Sequence, residues 1–526
     1  MAVARPPLGR LTPEPIQQLV VNAARRWPRK TAIIDGDRQI TFTELNVYSN
    51  RLAAALANTG VRKGDFVGVL APNCIEFEVS FFGILKAGAT VTTINSGYRE
   101  RETAAQLNAS GAEVLIVHRD LVEMAKLAAK DVPALKRSIV IEGSADDSSS
   151  FWGLIDTTTD EPPSVQIDET KDLAALPFSS GTTGLNKGVM LSHANLHANV
   201  RQLADRDEDN TVTKEDVVLV HLPLFHIYGM TVLMQQSLYV GATQVMMGRF
   251  DMADFLSLIQ NHRVTALYTA PPVGVGLSQT PLVDQYDVSS LRFVMFGAAP
   301  MSAELQVRIA NRLGCSVIQG YGLTETSPVT HMDFTDDRKK LGSIGPPLPG
   351  VEQRVVDTET STTDLAPNEL GELLMRGPNI MLGYYNQPAA TAEAIDADGW
   401  FHSGDLVKID EDGYVYVLDR KKELIKFSGF QVPPAELEGI LLEHPAVADT
   451  AVIGKKDLEH GEIPKAFVVK KLGAEVSTED LIEYVGRQVA TFKRVREVEF
   501  VEAIPKNPSG KLLRRVLVEQ ERAKNS

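Results

Sequence analysis

The chain holds only two cysteines, Cys74 and Cys315, in 526 residues. That is too few for a disulfide framework, and no metal-ligand spacing includes them, so a reducing, intracellular setting is expected. Long hydrophobic runs are missing too. No stretch approaches the roughly 18 apolar residues of a membrane-spanning helix. The first ten residues carry no apolar core of a secretory signal, and Lys524-Asn525-Ser526 is not a peroxisomal tripeptide. The expectation is a cytoplasmic protein with no membrane partner. Positive charge is in deficit, with 53 Lys and Arg against 68 Asp and Glu, which points away from nucleic acid. Internal repeats and low-complexity tracts are absent.

What is present is ordinary globular composition, 44% hydrophobic and 23% charged, which argues against long disorder. The length exceeds what one core sustains and implies several domains. The charge is uneven: from Arg420 onward 19 Lys and Arg meet 17 Asp and Glu, so the acidity belongs to the preceding part. A near-neutral tail behind an acidic body suggests a separate C-terminal domain serving an anionic ligand.

Short β-rich runs alternate with helical periodicity through the first half. Strands are read at 65–70, 91–94, 219–222, 242–247, 266–270 and 291–296, and helices at 78–88 and 302–313. That alternation implies parallel α/β sheets covered on both faces, with ligands at the carboxyl ends of the strands. Gly297-Ala-Ala-Pro300 and Gly320-Tyr-Gly322 are read as following strands directly, where they would line a site. From Gly345 on, Pro- and Gly-rich turns separate short β segments at 371–375 and 414–418, read as a β-barrel or sandwich subdomain. After Asp419 a compact α+β unit is expected, with strands near 447–453, 465–470 and 498–501 and a helix near 477–490. The fold class is therefore α/β: a large domain of two parallel α/β sheets plus a β-barrel subdomain (1–418), then a small mobile α+β domain (419–526).

The stretch 176–188 packs Ser179, Ser180, Thr182, Thr183, Gly181, Gly184, Gly188 and Lys187 into a loop between apolar runs. Glycines admit backbone N–H groups close to an anion, hydroxyls rotate to donate, and lysine adds a point charge. This is phosphate-cradle chemistry without the spacing of a P-loop. His193 and His197 stand at i, i+4, but no third ligand accompanies them, and they read as helix-surface histidines. Taken alone, Asp405 reads equally well as a turn residue. Alone, Lys511 reads as one more solvated lysine.

Six further motifs follow the loop in order. They are Phe225-His-Ile-Tyr-Gly229, Gly297-Ala-Ala-Pro300, Gln319-Gly-Tyr-Gly-Leu-Thr-Glu325, Trp400-Phe-His-Ser-Gly-Asp405, Asp419-Arg-Lys-Lys-Glu-Leu-Ile-Lys426 and Pro505-Lys-Asn-Pro-Ser-Gly-Lys511. The series resembles the adenylate-forming superfamily of acyl-CoA synthetases, luciferases and adenylation domains, in its 4-coumarate–CoA ligase-like branch. The resemblance spans essentially the whole chain. It implies an ATP-dependent, AMP-forming acid–thiol ligase using ATP, Mg²⁺ and coenzyme A, with an aryl or a short-to-medium fatty acid as substrate. A carrier-protein-loading acyl-AMP ligase and a non-catalytic nucleotide-binding scaffold are the alternatives. The partners implied are small molecules, and the chain is expected to be a monomer or homodimer.

By the same resemblance, Ser179, Ser180, Gly181, Thr182, Thr183, Gly184 and Lys187 would hold phosphates. Glu325 would carry Mg²⁺ and Thr324 would donate to the α-phosphate. Tyr321 and the short side chains of Ala298 and Ala299 would border the adenine, Gln319, Gly320 and Gly322 would belong to the nucleotide site, Asp405 and Arg420 would take the ribose, and Lys511 would bridge acid and nucleotide. His226, Tyr228, Met295, Gly297, Gly322, Pro328 and Val329 would line the acyl pocket. Asp419 matches a hinge. Lys426 and Gln431 would contact the adenylate after rotation, with Ser428 and Gly429 beside the CoA arm. Three departures stand out. Asn186 replaces a loop proline, the box Gly371-Glu-Leu-Leu-Met-Arg-Gly377 lacks its cysteine, and Phe296 stands where a small residue is common. Strand alternation lets only one of Met295 and Phe296 face the pocket. Phe296 there would shorten it and count against a hydroxycinnamate.

Overall fold

The computed structural model describes residues 12–141, 150–179, 187–205, 211–299, 301–421, 423–428, 430–457, 460–506 and 512–524, without the side chains of Phe430 and Gln431. Two eight-stranded sheets organise its larger part. The first runs Val329–Met332, Ser316–Gly322, Phe293–Phe296, Ala266–Thr269, Val217–Val220, Thr243–Met246, Thr31–Asp35, Arg38–Thr41. Its six inner strands pair in parallel and its two edges antiparallel. The second is built on parallel strands Leu173–Ala175, Thr90–Thr93, Phe66–Leu70, Val114–His118 and Arg137–Ile141, extended antiparallel by Lys187–Ser192 beside Leu173–Ala175. Every strand read from periodicity in the first half is there, within two residues at each end.

Helix Ile75–Lys86 touches strands of both sheets, and all twelve of its residues are buried. Its eight apolar and glycine residues spread around the helix, so it packs between the sheets and takes Glu76, Glu78, Ser80 and Lys86 inside with it. Helix His193–Ala204 is nearly as buried, and this corrects the reading of its histidines. His193 and His197 are only 2% and 4% exposed. His193 Nδ1 accepts the Ile16 N–H at 3.1 Å, and burial pulls its pKa down to about 4. The sequence looked polar there because Asn195, Asn199 and Gln202 are polar, yet each spends its amide on buried backbone carbonyls.

The segment read as a barrel or sandwich is instead an open antiparallel sheet of four strands, Glu352–Val356, Gly371–Arg376, Phe401–Ile409 and Val415–Arg420. Gly320–Gly322 also differs from expectation, since these residues lie within strand Ser316–Gly322. That strand changes partner midway, pairing in parallel up to Gln319 and antiparallel with Val329–Met332 beyond it. The C-terminal sheet joins Phe430–Val432, Ile425–Phe427, Gly461–Lys470, Val447–Asp457 and Glu497–Phe500. Helices Pro434–Glu443, Thr478–Gly486 and Arg514–Lys524 accompany it. The helix expected over 477–490 stops at Gly486.

Glu78, in the buried helix, takes one long hydrogen bond from Gln244 Nε2 at 3.3 Å. Its Oε1 has no partner among the described residues. Burial raises its pKa to about 8. The folded state therefore holds a proton that the unfolded chain releases near pH 4.5, and stability falls as pH rises from about 4.5 to about 8. Each unit is worth about 1.4 kcal/mol. Glu78→Gln, isosteric with the protonated acid, should melt like the parent at pH 4.5 and several degrees higher at pH 8, read by calorimetry at both pH values.

Candidate active site

Residues of all three sheets converge at the candidate site. From the first sheet, the single turn Thr324–Thr326 delivers Glu325. Its carboxylate Oε1 accepts the Ser179 hydroxyl at 2.9 Å and the Tyr384 hydroxyl at 3.0 Å, both from the second sheet. Lys187 Nζ lies 4.7 Å from the centre of the Tyr384 ring. Burial first, and then the Glu325 charge, push the Tyr384 phenol up, so it stays a donor at any physiological pH. From the third sheet, Asp405 is 3% exposed. It receives the Arg420 guanidinium, Nε to Oδ1, at 3.0 Å and a short bond from the Tyr321 hydroxyl. Asp405 in turn holds the Arg420 pKa up. The Tyr321 phenol is raised well above its usual range, by burial and then by Asp405. Glu325 also acts on Arg420 electrostatically, which links the two clusters.

The turn that carries Glu325 is set by backbone crowding. A Cβ on Gly322 would lie 2.1 Å from the Pro328 carbonyl oxygen, so the chain can fold back here only with glycine. Asn379 Nδ2 donates to the Thr326 carbonyl at 2.8 Å. Asn199 bonds both the N–H and the carbonyl of Val329. Gln319, expected in the nucleotide site, uses its side-chain amide within the protein. Its Oε1 accepts the Met301 N–H at 3.2 Å, and its Nε2 faces Gln306, so its amide ties loop to strand. Thr324 is half-buried, Ala298 is exposed with φ +69°, and Ala299 is half-buried.

The acyl-pocket candidates form one neighbourhood. Tyr228 is 7% exposed and its hydroxyl points to the Met295 carbonyl at 3.4 Å. A Cβ on Gly297 would stand 3.1 Å from the Tyr228 ring, and one on Gly320 would meet Met295 Cε at 2.5 Å. Phe296 faces the other way, packed against Gly274 and Ile309 under the outer helices. It therefore does not shorten the pocket, and the objection it raised to a hydroxycinnamate falls. Pro328 and Val329 are buried behind Gly322. His226, half-buried, accepts the Tyr228 N–H on Nδ1 at 3.2 Å.

The approach to His226 is held by a residue the sequence did not mark. Asn73 Nδ2 donates to the carbonyls of Val220, Leu222 and Met247, and its Oδ1 accepts the Leu224 N–H. An asparagine before a helix reads as a turn former, which hides such a role. Tyr384 was also missed, because its motif lies between the recognised boxes.

Lys426 is exposed on strand Ile425–Phe427, its N–H bonded to Glu462. Ser428 donates its N–H to the His460 carbonyl and pairs its hydroxyl with His460 Nδ1 at 2.9 Å. Among the described residues, no contact joins either to the Asp405 cluster. Ser180, Gly181, Thr182, Thr183, Gly184, Asn186, Pro300, Gly429 and Lys511 lie outside the described residues, as does the Gln431 side chain.

The family model described as AMP-binding enzyme matches residues 20–385, and that of the AMP-binding enzyme C-terminal domain matches 436–511. The chain belongs to the AMP-binding enzyme family. It is similar to 4-coumarate–CoA ligase of Pinus taeda, 41% identical over 514 residues, covering 96% of this chain and 94% of the relative. It is 42% identical over 487 residues to 4-coumarate–CoA ligase 3 of Arabidopsis thaliana, covering 91% and 86%. Among solved structures it is similar to the anthranilate CoA ligase AuaEII in complex with anthranoyl-AMP, with TM-score 0.92, 28% identity and 98% and 99% coverage. ATP-bound MatB from Rhodopseudomonas palustris gives TM-score 0.89 at 29% identity, with 98% and 100% coverage. The chain is an adenylate-forming acid–thiol ligase that uses ATP, Mg²⁺ and coenzyme A.

Tyr384→Phe removes one hydroxyl donor from Glu325 while keeping the ring under Lys187. KM for ATP should rise about tenfold or more, as loss of one hydrogen bond to a charged group implies. Tyr384→Ala should raise it further. Initial rates of pyrophosphate release across an ATP series check both.

Proposed function

We propose that this ligase activates a planar aryl-propenoic acid of the hydroxycinnamate class. An oxygen of the acid bonds to the α-phosphorus of ATP and pyrophosphate leaves. The sulfur of coenzyme A then bonds to the acyl carbon and AMP leaves. The observation that carries the substrate class is the outward turn of Phe296, which leaves Gly297 against the Tyr228 ring and Gly320 against Met295 on the candidate acyl side. Small residues facing an aromatic ring suit a flat ring better than a flexible chain. The names of the plant relatives and the aromatic adenylate of the anthranilate ligase support the same reading.

Attack brings a carboxylate against a polyphosphate, and the like charges must be offset where they meet. In this reading Lys187 and the hydroxyls of Thr182 and Thr183 take the β- and γ-phosphates. Asp405 accepts the ribose hydroxyls with Arg420 beside it, and Lys511 spans carboxylate and nucleotide. Glu325 suits Mg²⁺. Its carboxylate is a hard oxygen donor, fixed by two hydroxyls on Oε1, with Oε2 taking no hydrogen bond among the described residues. When bound, the ion neutralises charge on the phosphate oxygens. Glu325 meanwhile keeps the Ser179 and Tyr384 donors aligned at the phosphate side, and Tyr321 holds Asp405 in place. The division into 1–418 and 419–526, with rotation about Asp419 presenting Lys426, Ser428 and Gly429 to the thiol step, belongs to the same proposal. So do action in the cytoplasm and a monomeric or homodimeric state. The break between the two family matches, 386–435, contains Asp419.

The test is ATP- and acid-dependent pyrophosphate release with 4-coumarate, cinnamate, benzoate and short-to-medium fatty acids, with and without coenzyme A. The highest kcat/KM is expected for the propenoic acids, dependent on coenzyme A, and lowered about 100-fold or more in Lys511→Ala. Preference for fatty acids would overturn the substrate class. Turnover indifferent to coenzyme A would overturn the acceptor.

A further inference from the structure

Asp405 sits in an irregular part of its sheet. Strand Phe401–Ile409 pairs with Gly371–Arg376 through His402 opposite Leu374 and through Leu406 opposite Glu372. Between those two pairs, the single residue Leu373 faces three, Ser403, Gly404 and Asp405. The chain bulges outward by two residues here, and that bulge presents the Asp405 carboxylate to Tyr321 and Arg420. A bulge strips backbone groups of their ladder partners, and buried ones need replacements.

The replacements come from side chains. The Gly404 N–H donates to Glu372 Oε1 at 3.2 Å and the Asp405 N–H to Ser403 Oγ at 3.0 Å, while the Ser403 hydroxyl reaches the Leu373 carbonyl at 2.7 Å. The Gly404 carbonyl accepts the Lys421 N–H at 2.8 Å. Gly404 has φ +70° and a Cβ there would meet nothing within 4 Å, so backbone conformation and not space calls for glycine. The Glu372 side chain, 6% exposed, also receives Lys421 Nζ on Oε2 at 2.8 Å and the Ser361 hydroxyl at 3.1 Å, with His402 Nδ1 3.8 Å from Oε1. Successive cations thus reach two carboxylates, Arg420 to Asp405 and Lys421 to Glu372.

We infer that Glu372 is a positioning residue for nucleotide recognition, gripping the Gly404 peptide so that the bulge holds the Asp405 carboxylate at the ribose. The inference rests on the reading that Asp405 accepts the ribose hydroxyls. A glutamate is required because its two oxygens serve different partners at once. Oε1 serves the peptide, and Oε2 serves the lysine that follows Arg420.

The test compares ATP with 2′-deoxy-ATP and 3′-deoxy-ATP in acid-dependent pyrophosphate release, with melting temperatures of every variant. The parent should favour ATP, and Asp405→Asn should erase most of that preference. Glu372→Ala should raise KM for ATP about tenfold and shrink the ATP-to-deoxy ratio of kcat/KM in the same direction, while KM for the acid holds. Glu372→Gln, which keeps an acceptor for Gly404 but loses the charge facing Lys421, should fold in any case and shrink the ratio about threefold. A parental ratio in folded Glu372→Gln or Glu372→Ala would overturn the positioning role. A parental ratio in Asp405→Asn would overturn the ribose assignment itself, and the inference with it.

Discussion

A carboxylate withdrawn from water must be given back its hydrogen bonds or its countercharge, and three such groups shape this site. Glu325, Asp405 and Glu372 come from different strands and turns, and the first two are served across a sheet boundary. Glu325 takes hydroxyls from the second sheet and Asp405 the phenol of Tyr321 in the first, while Glu372 takes the ammonium that follows Arg420 in its own sheet. Glu325 and Asp405 thereby tie the three sheets to one another. A site that must receive a polyanion would otherwise repel it. Phenol and hydroxyl donors hold Glu325 without an opposite charge of their own, whereas Asp405 is balanced by Arg420.

The sequence made the strands legible wherever periodicity alone decides them, as at Phe66–Leu70 or Phe293–Phe296. It also brought out the residues whose chemistry is local, such as Glu325 at the end of Gly-Tyr-Gly. It hid whatever depends on a distant partner. The bulge at Ser403–Gly404–Asp405 exists because Glu372, on another strand, supplies an acceptor, and nothing in Trp400-Phe-His-Ser-Gly-Asp405 announces it. His193 looked exposed because its neighbours are amides, and the amides turned out to be buried glue. Gln319 drew notice through its motif, and the motif does not show that Met301 and Gln306 hold its side chain. For Met295 and Phe296 alternation posed the right question without an answer. Gly274, a glycine on an outer helix, makes the space that Phe296 fills.

The acyl side follows from a related constraint. Backbone ends of parallel strands leave carbonyls that need donors, and Asn73 serves three of them while accepting the Leu224 N–H. Thr93 adds a bond to the Phe225 carbonyl at 2.8 Å. These two residues belong to the second sheet, and the segment they hold belongs to the first. The segment bearing His226 and Tyr228 is therefore fixed by contacts between the same two sheets whose residues hold Glu325. Tyr228 opens a π-helix, Tyr228–Gln235, whose wider turn brings Gly229 against the Pro223 carbonyl, where a Cβ would sit 2.3 Å away. Substrate shape and phosphate chemistry are coupled through packing between sheets.

The small domain joins this arrangement through two adjacent residues with opposite allegiances. Arg420 belongs to the nucleotide side through Asp405. Asp419 accepts the N–H of Ala435 at 2.8 Å, at the start of helix Pro434–Glu443, where a carboxylate favours the helix dipole. Burial pushes the Asp419 pKa up to about 6, against the pull of Arg514. Arg514 itself is held by Glu423 and Glu438. Turning the chain between residues 419 and 420 would part Asp419 from the Ala435 N–H, Arg420 from Asp405 and Lys421 from Glu372, while the Arg514 pairs, made wholly beyond that point, would stay intact. Adjacent residues with opposite allegiances therefore tie the two parts of the chain to each other here, and any rotation at this point has to exchange all three contacts for others.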